Sequence, residues 1–323
     1  MILRRICFDF RHYAQCRSMT TSAAAMMQVF SRRVALLLAV VLTHGTTAFA
    51  QKAKIAAAEL AIQRRIAASG ADVAVYFKTL DGKAVWSVHP DDGFHAASTM
   101  KVPVMIELFH QAQQGKLKLE DAVAVKNEFH SMVDGSPYKL SSDDDSESEL
   151  YKIEGQSRTV SELCELMITV SSNFATNLLI EKLGVENIRA TIHTLGADGV
   201  LVLRGVEDGK AFAKGLNNTT TARGLATLLE AIAHGKAVDA ASSREMIAIL
   251  KRQKFNEGIP AGLPSGIEVA HKTGEIKEIH HDAAIVFAKR PYILVILVRG
   301  LADIEQSAAL MKDISREMYE ATQ

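Results

Sequence analysis

Cysteine is nearly absent. The chain has three, and two of them, Cys7 and Cys16, precede residue 51. Only Cys164 lies beyond it, which excludes an internal disulfide or a thiolate metal cluster in residues 51–323. Cys164 stands among Leu163, Leu166 and Met167 and reads as a small buried hydrophobe. An excess of either charge is also missing, with 37 Lys+Arg against 37 Asp+Glu. Residues 1–50 hold six Arg and a single acid, so residues 51–323 carry 31 basic and 36 acidic side chains. That mildly acidic body lacks the clustered basic face a nucleic-acid partner requires. No internal repeat is visible, and no apolar run reaches the ~20 residues a membrane-spanning helix needs.

The apolar run Val34–Leu42 follows Arg32-Arg33 and precedes Ala48-Phe49-Ala50. A positive segment, a short apolar segment and A-x-A form a secretory signal, with cleavage expected after Ala50. Met26 or Met27 offers a later start, and Ser31-Arg32-Arg33 shares features with a twin-arginine signal, so the export route stays open. Residues 51–323 are expected to be secreted or periplasmic, monomeric, without a membrane anchor, and large enough for one sizeable core.

Periodicity supplies the fold class. Residues 53–69 read as an amphipathic helix with Ile55, Leu60 and Ile66 among its apolar positions. Val73, Val75 and Phe77 alternate, Asp81-Gly82 turns and Val85 resumes, which is a hairpin. From Phe94 to about Ile249 the apolar spacing is helical, broken by loops. Strand character returns at Ile267–Ala270, Ala283–Phe287 and Tyr292–Val298, and a helix closes the chain over 303–321. The economical packing is α+β. One antiparallel sheet is built from both ends (51–90 and 265–323), carries the terminal helices, and receives an all-helical lobe at 91–264. A ligand cleft is expected between the lobes. The acidic run Ser141–Glu149 lacks the glycine and spacing of a calcium loop and reads as a solvated loop.

Three short motifs carry chemistry. Ser98-Thr99-Met100-Lys101 opens a helical pattern, with Pro103 tolerable only in its first turn. Residues three apart share a helical face, so a lysine amine can reach the serine hydroxyl and serve as its base once burial depresses its pKa. Alone this is weak, since about one S-x-x-K is expected by chance in such a chain. Ser171-Ser172-Asn173 follows in the helical region, where hydroxyls and an amide relay protons and hold an amide; helix capping is the plainer alternative. His271-Lys272-Thr273-Gly274 ends a strand pattern and offers a cation, a hydroxyl and a residue that permits close backbone approach.

In this order and setting, S-x-x-K, S-x-N and K-T-G resemble the signature of the class A β-lactamases and penicillin-binding proteins, most closely the class A branch. Thr159–Val170 and Asn218-Thr219-Thr220-Thr221 extend the resemblance, which covers essentially all of 51–323. It implies that Ser98 is an acylated nucleophile, Lys101 its proton acceptor and Ser171 a proton shuttle to the leaving nitrogen. Asn173 would hold a substrate amide, and Lys272 and Thr273, with Gly274 beside them, would face a substrate carboxylate. Backbone N–H groups of Ser98 and Glu275 would form the oxyanion hole.

The departures are specific. Ser172 stands where the family usually has Asp. After Arg204 the family has a glutamate two residues on and an asparagine four beyond it; here Glu207 is one place late and position 211 is Ala. Glu207 is therefore a candidate deacylation base, the alternative being a surface acid. Arg204 would clasp Asn218 without an ion pair. His281 occupies the place of an arginine that faces the substrate carboxylate, so the resemblance implies a substrate contact; a packed histidine is the alternative. A zinc site lacks further ligands at suitable spacing. Gly205–Lys210 lacks the Ser/Thr after its lysine that a phosphate loop needs. The resulting expectation is an exported serine hydrolase of β-lactams acting without cofactor or metal. Its rivals are a D,D-peptidase on peptidoglycan stem peptides and a β-lactam sensor that stays acylated.

Overall fold

The computed structural model describes residues 52–323. The expected signal segment and the cleavage point after Ala50 lie outside the described residues.

The architecture is α+β. Five strands, β1 (Asp72–Thr79), β2 (Val85–Val88), β3 (Glu268–Ile276), β4 (Ile279–Phe287) and β5 (Tyr292–Arg299), form an antiparallel sheet in the order β2-β1-β5-β4-β3. Register is fixed by apolar residues on both faces. On β5, Ile293, Val295 and Leu297 join one core cluster, while Tyr292, Leu294, Ile296 and Val298 join the other. A slip of one residue would exchange the two sets.

Helix α1 (52–69) and the C-terminal helix, residues Ile304–Thr322, cover the second face. Ile62, rather than the 49% exposed Leu60, anchors α1. Arg65 ties α1 to Asp313 (2.8 Å) and Glu317 (3.2 Å) of the C-terminal helix.

The first face packs against the helical region. Its centre is α2 (Lys101–Gln113), apolar nearly all round and buried along most of its length. Helix α3 (Val160–Thr169) starts at a capping box made by Thr159 and Glu162. Helix α4 (Asn173–Leu183) follows after a break at Ser171-Ser172. Cys164 is buried on α3, and burial pushes its thiol up to about 12.

Two expectations need revision. The region after α2 is not helical throughout: residues 122–124 pair with 157–159, and 129–130 with 137–138, as short ladders. Strands β3 and β4 also run further toward the site than their apolar stretches indicate. His271, Lys272, Thr273, His281 and Asp282 are all buried strand residues. Polar groups tolerate this because they are partnered. His271 Nδ1 lies 2.9 Å from Asp282 Oδ1, and Asp282 Oδ2 accepts the Ile259 N–H at 2.9 Å.

Candidate active site

Ser98 lies in a 3₁₀ turn, Ala97–Met100, that runs directly into α2. In a 3₁₀ turn residues i and i+3 eclipse, which stacks Lys101 on Ser98. Ala97, just before the serine, has φ 45°, a left-handed conformation that a non-glycine residue holds only when its surroundings impose it. Ser98 and Asn173 both line two adjoining cavities of about 790 and 470 Å³.

Lys101 is fully buried. Its Nζ donates to the Ser171 carbonyl (2.6 Å), Ser171 Oγ (3.2 Å) and Asn173 Oδ1 (2.9 Å); among the described residues no hydrogen bond joins it to Ser98. Burial brings its pKa down to about 7, against the opposing charges of Asp145 and Glu207. An amine in that range is a competent base near neutrality.

The Ser171 backbone is left-handed, φ 61°, which breaks the chain between α3 and α4. Its hydroxyl meets Lys101 on one side and Lys272 Nζ (3.0 Å) on the other. Lys272 also donates to the Thr273 carbonyl at 2.8 Å. Burial, then the neighbouring charge of Lys101, holds the Lys272 pKa well below its ordinary value, with Asp282 opposing.

Gly274 meets Ser98 where its lack of a side chain is needed. A Cβ there would stand 3.0 Å from both the Ser98 and Thr99 backbone nitrogens. A side chain there would crowd the Ser98 N–H. Thr273 and Glu275 line the smaller cavity from the same strand.

Glu207 reaches the cleft. The residue is exposed and left-handed (φ 61°), and its Oε1 accepts Asn173 Nδ2 at 2.6 Å. Partial loss of water around its carboxyl end raises its pKa, the Asn173 hydrogen bond opposes this, and the charge of Asp145 adds to the rise. Asn173 thus bridges Lys101 and Glu207. Ala211 is fully buried and contributes no polar side chain. Arg204 is held by Leu216, Gly205 and Asn217 oxygens and has no ion pair among the described residues, while Asn218 binds the Leu203 and Arg204 backbone.

His281 does not reach the cleft. It is fully buried, with Nε2 2.9 Å from the His95 carbonyl and Nδ1 accepting from Val298 N–H. Burial brings its pKa down to about 4. Its ring is packed in the interior, and His280, on the opposite strand face, lines the smaller cavity. Among the described residues no cluster of His, Cys, Asp or Glu could hold a metal ion.

Sequence reasoning missed Asp145. It belongs to the acidic run read as solvated, and most of that run is exposed. Asp145 instead accepts Asn173 N–H (3.0 Å), Phe174 N–H (2.8 Å), Tyr151 OH (2.9 Å) and Ser172 Oγ (3.3 Å). The available signal was the acid missing at Ser172.

A serine at the mouth of a buried lysine network, between a sheet and a helical lobe, is the arrangement of a serine hydrolase of the β-lactamase type. Comparison with known proteins agrees. The model of the β-lactamase enzyme family matches residues 57–322. The chain belongs to that family, in the class A β-lactamase and penicillin-binding-protein-like group. It is 22% identical to the β-lactamase BRO-1 of Moraxella catarrhalis over 70% of this chain and 72% of that one. Among solved structures it resembles a β-lactamase from Sphaerobacter thermophilus (TM-score 0.71, 25% identity, 84% and 97% of the two chains). It also resembles a PBP-A variant solved as an acyl-enzyme complex with penicillin G (TM-score 0.70, 27% identity, 82% and 96%).

Proposed function

We propose that the protein is an exported serine β-lactamase that opens the β-lactam amide through an ester on Ser98. The observation that carries the reading is the continuous chain Lys272–Ser171–Lys101–Asn173–Glu207 beside Ser98. Neutral Lys101 takes the Ser98 proton as Oγ bonds to the lactam carbonyl carbon. The oxyanion lies on the N–H groups of Ser98 and Glu275. The C–N bond breaks and the nitrogen receives its proton through Ser171. Glu207 then removes a proton from water, whose oxygen attacks the ester carbonyl carbon; the bond to Ser98 Oγ breaks and Oγ receives the proton held by Glu207. Lys272 and Thr273 hold the substrate carboxylate. The reading needs no cofactor, metal or partner chain. Its exported, secreted or periplasmic location rests on the signal pattern before residue 51. No helix of the described residues is long and apolar enough to cross a membrane.

The second reading is a D,D-peptidase or a sensor that remains acylated, favoured by the buried, apolar Ala211 at the position where the resemblance implies a water-holding asparagine. Purified protein with a chromogenic cephalosporin separates them. Slow multiple turnovers are expected. A single stoichiometric burst would replace the β-lactamase with the peptidase or sensor, and no reaction would exclude all three.

A further inference from the structure

We infer that Asp145 is a positioning residue that supplies, from a separate loop, the carboxylate missing from the middle motif. The inference rests on the reaction proposed above for its kinetic consequences, and on geometry alone for its structural ones.

Ser172 caps α4 by accepting Ala175 N–H at 3.2 Å. The two N–H groups before it, on Asn173 and Phe174, point at Asp145, so the first turn is completed by a carboxylate 27 or more residues away in the chain. An anion is favoured at that end of a helix. The same carboxylate takes the Tyr151 hydroxyl, and the Tyr151 ring lies 4.7 Å from that of Phe174. Asp145 therefore fastens the loop bearing Asp144 and Ser146, which line the cleft, to the backbone that aims Asn173. Asn173 in turn holds both Lys101 and Glu207.

Its charge acts on the same groups. Lys101 faces Asp145, Glu207 and Lys272; Glu207 faces Asn173, Asp144, Asp145 and Lys101. Asp145 favours the ammonium form of Lys101 and the neutral form of Glu207. Removing it lowers both pKa values.

The test is a cycle of Asp145→Asn, Ser172→Asp and the double variant. An amide at 145 sets one N–H against another and weakens the cap. Asp145→Asn should lower the melting temperature. Ser172→Asp should lower it in the wild-type background, where two carboxylates would crowd the 3.3 Å contact. In the Asp145→Asn background it should raise it, because the acid is restored at the same helix end. Additive changes in melting temperature would overturn the inference. Kinetically, Asp145→Asn should slow Ser98 acylation by about tenfold or more. It should also move the acidic limb of acylation to lower pH, and the double variant should bring the limb back. An unmoved limb with an unchanged rate would overturn the inference too. If the wild type forms no acyl-enzyme, the proposed reaction fails and the melting cycle decides Asp145 by itself.

Discussion

The depressed pKa of Lys101 has a direct kinetic consequence. The buried amine titrates at about 7, and only its neutral form can accept the Ser98 proton. Acylation should therefore fall as pH drops through about 7 and level off above it. At pH 6 about a tenth of Lys101 is neutral and at pH 8 about nine tenths, so the acylation rate should differ by about tenfold between them. Stopped-flow measurement of the burst phase across pH 5–9 reads this directly. The same limb should persist in Glu207→Gln, displaced to lower pH, because the Glu207 charge supports the ammonium form. A rate that is flat from pH 6 to 9, or an inflection confined to the carboxylate range and abolished by Glu207→Gln, would refute Lys101 as the base.

Glu207→Gln itself keeps shape and removes the deacylation base. A stoichiometric burst with turnover slowed about 10²–10⁴-fold is expected, the acyl-enzyme being visible by intact mass. Lys272→Ala removes a charged hydrogen bond to the substrate and should lower kcat/KM by about 10–150-fold in steady-state assays. Gly274→Ala sets a methyl group 3.0 Å from Ser98 N. Loss of that oxyanion donor should lower kcat by about 10²–10³-fold while circular dichroism shows the fold retained.

What was legible in the sequence follows from what makes a local pattern. Ser98, Lys101, Ser171, Asn173 and Lys272 stand in motifs whose spacing is set by one helical turn, one helix break and one strand. The sheet faces were readable because β1 and β5 alternate two apolar sets. The His280–His281 pair was not readable, because counting from Lys272 gives a position but not a face. The β3–β4 register sets His281 opposite Gly274, on the face that meets Ser98, but its ring is held in the interior by the His95 carbonyl and the Val298 N–H, while His280, opposite Glu275, points to the other face and meets Ser307. Glu207 lay one place from its expected position, and its left-handed backbone, invisible in sequence, accompanies its approach to Asn173. Asp145 had no motif, since its partners are backbone N–H groups far along the chain.

Strain and buried charge gather at the same points. Among the described residues five non-glycine residues have positive φ, and three of them, Ala97, Ser171 and Glu207, sit at the cleft. Such conformations persist only where surrounding structure over-determines them. The surroundings are the buried α2, the α3–α4 break and the sheet, which supply Lys101, Ser171 with Asn173, and Lys272 from three independent elements. Burying two lysines within reach of one hydroxyl opposes folding, because each amine is desolvated and each repels the other. The two apolar clusters on the sheet faces offset that cost. The amines are thereby kept depressed and pointed at Ser171 before any substrate arrives. That preorganisation is what a serine without intrinsic nucleophilicity requires.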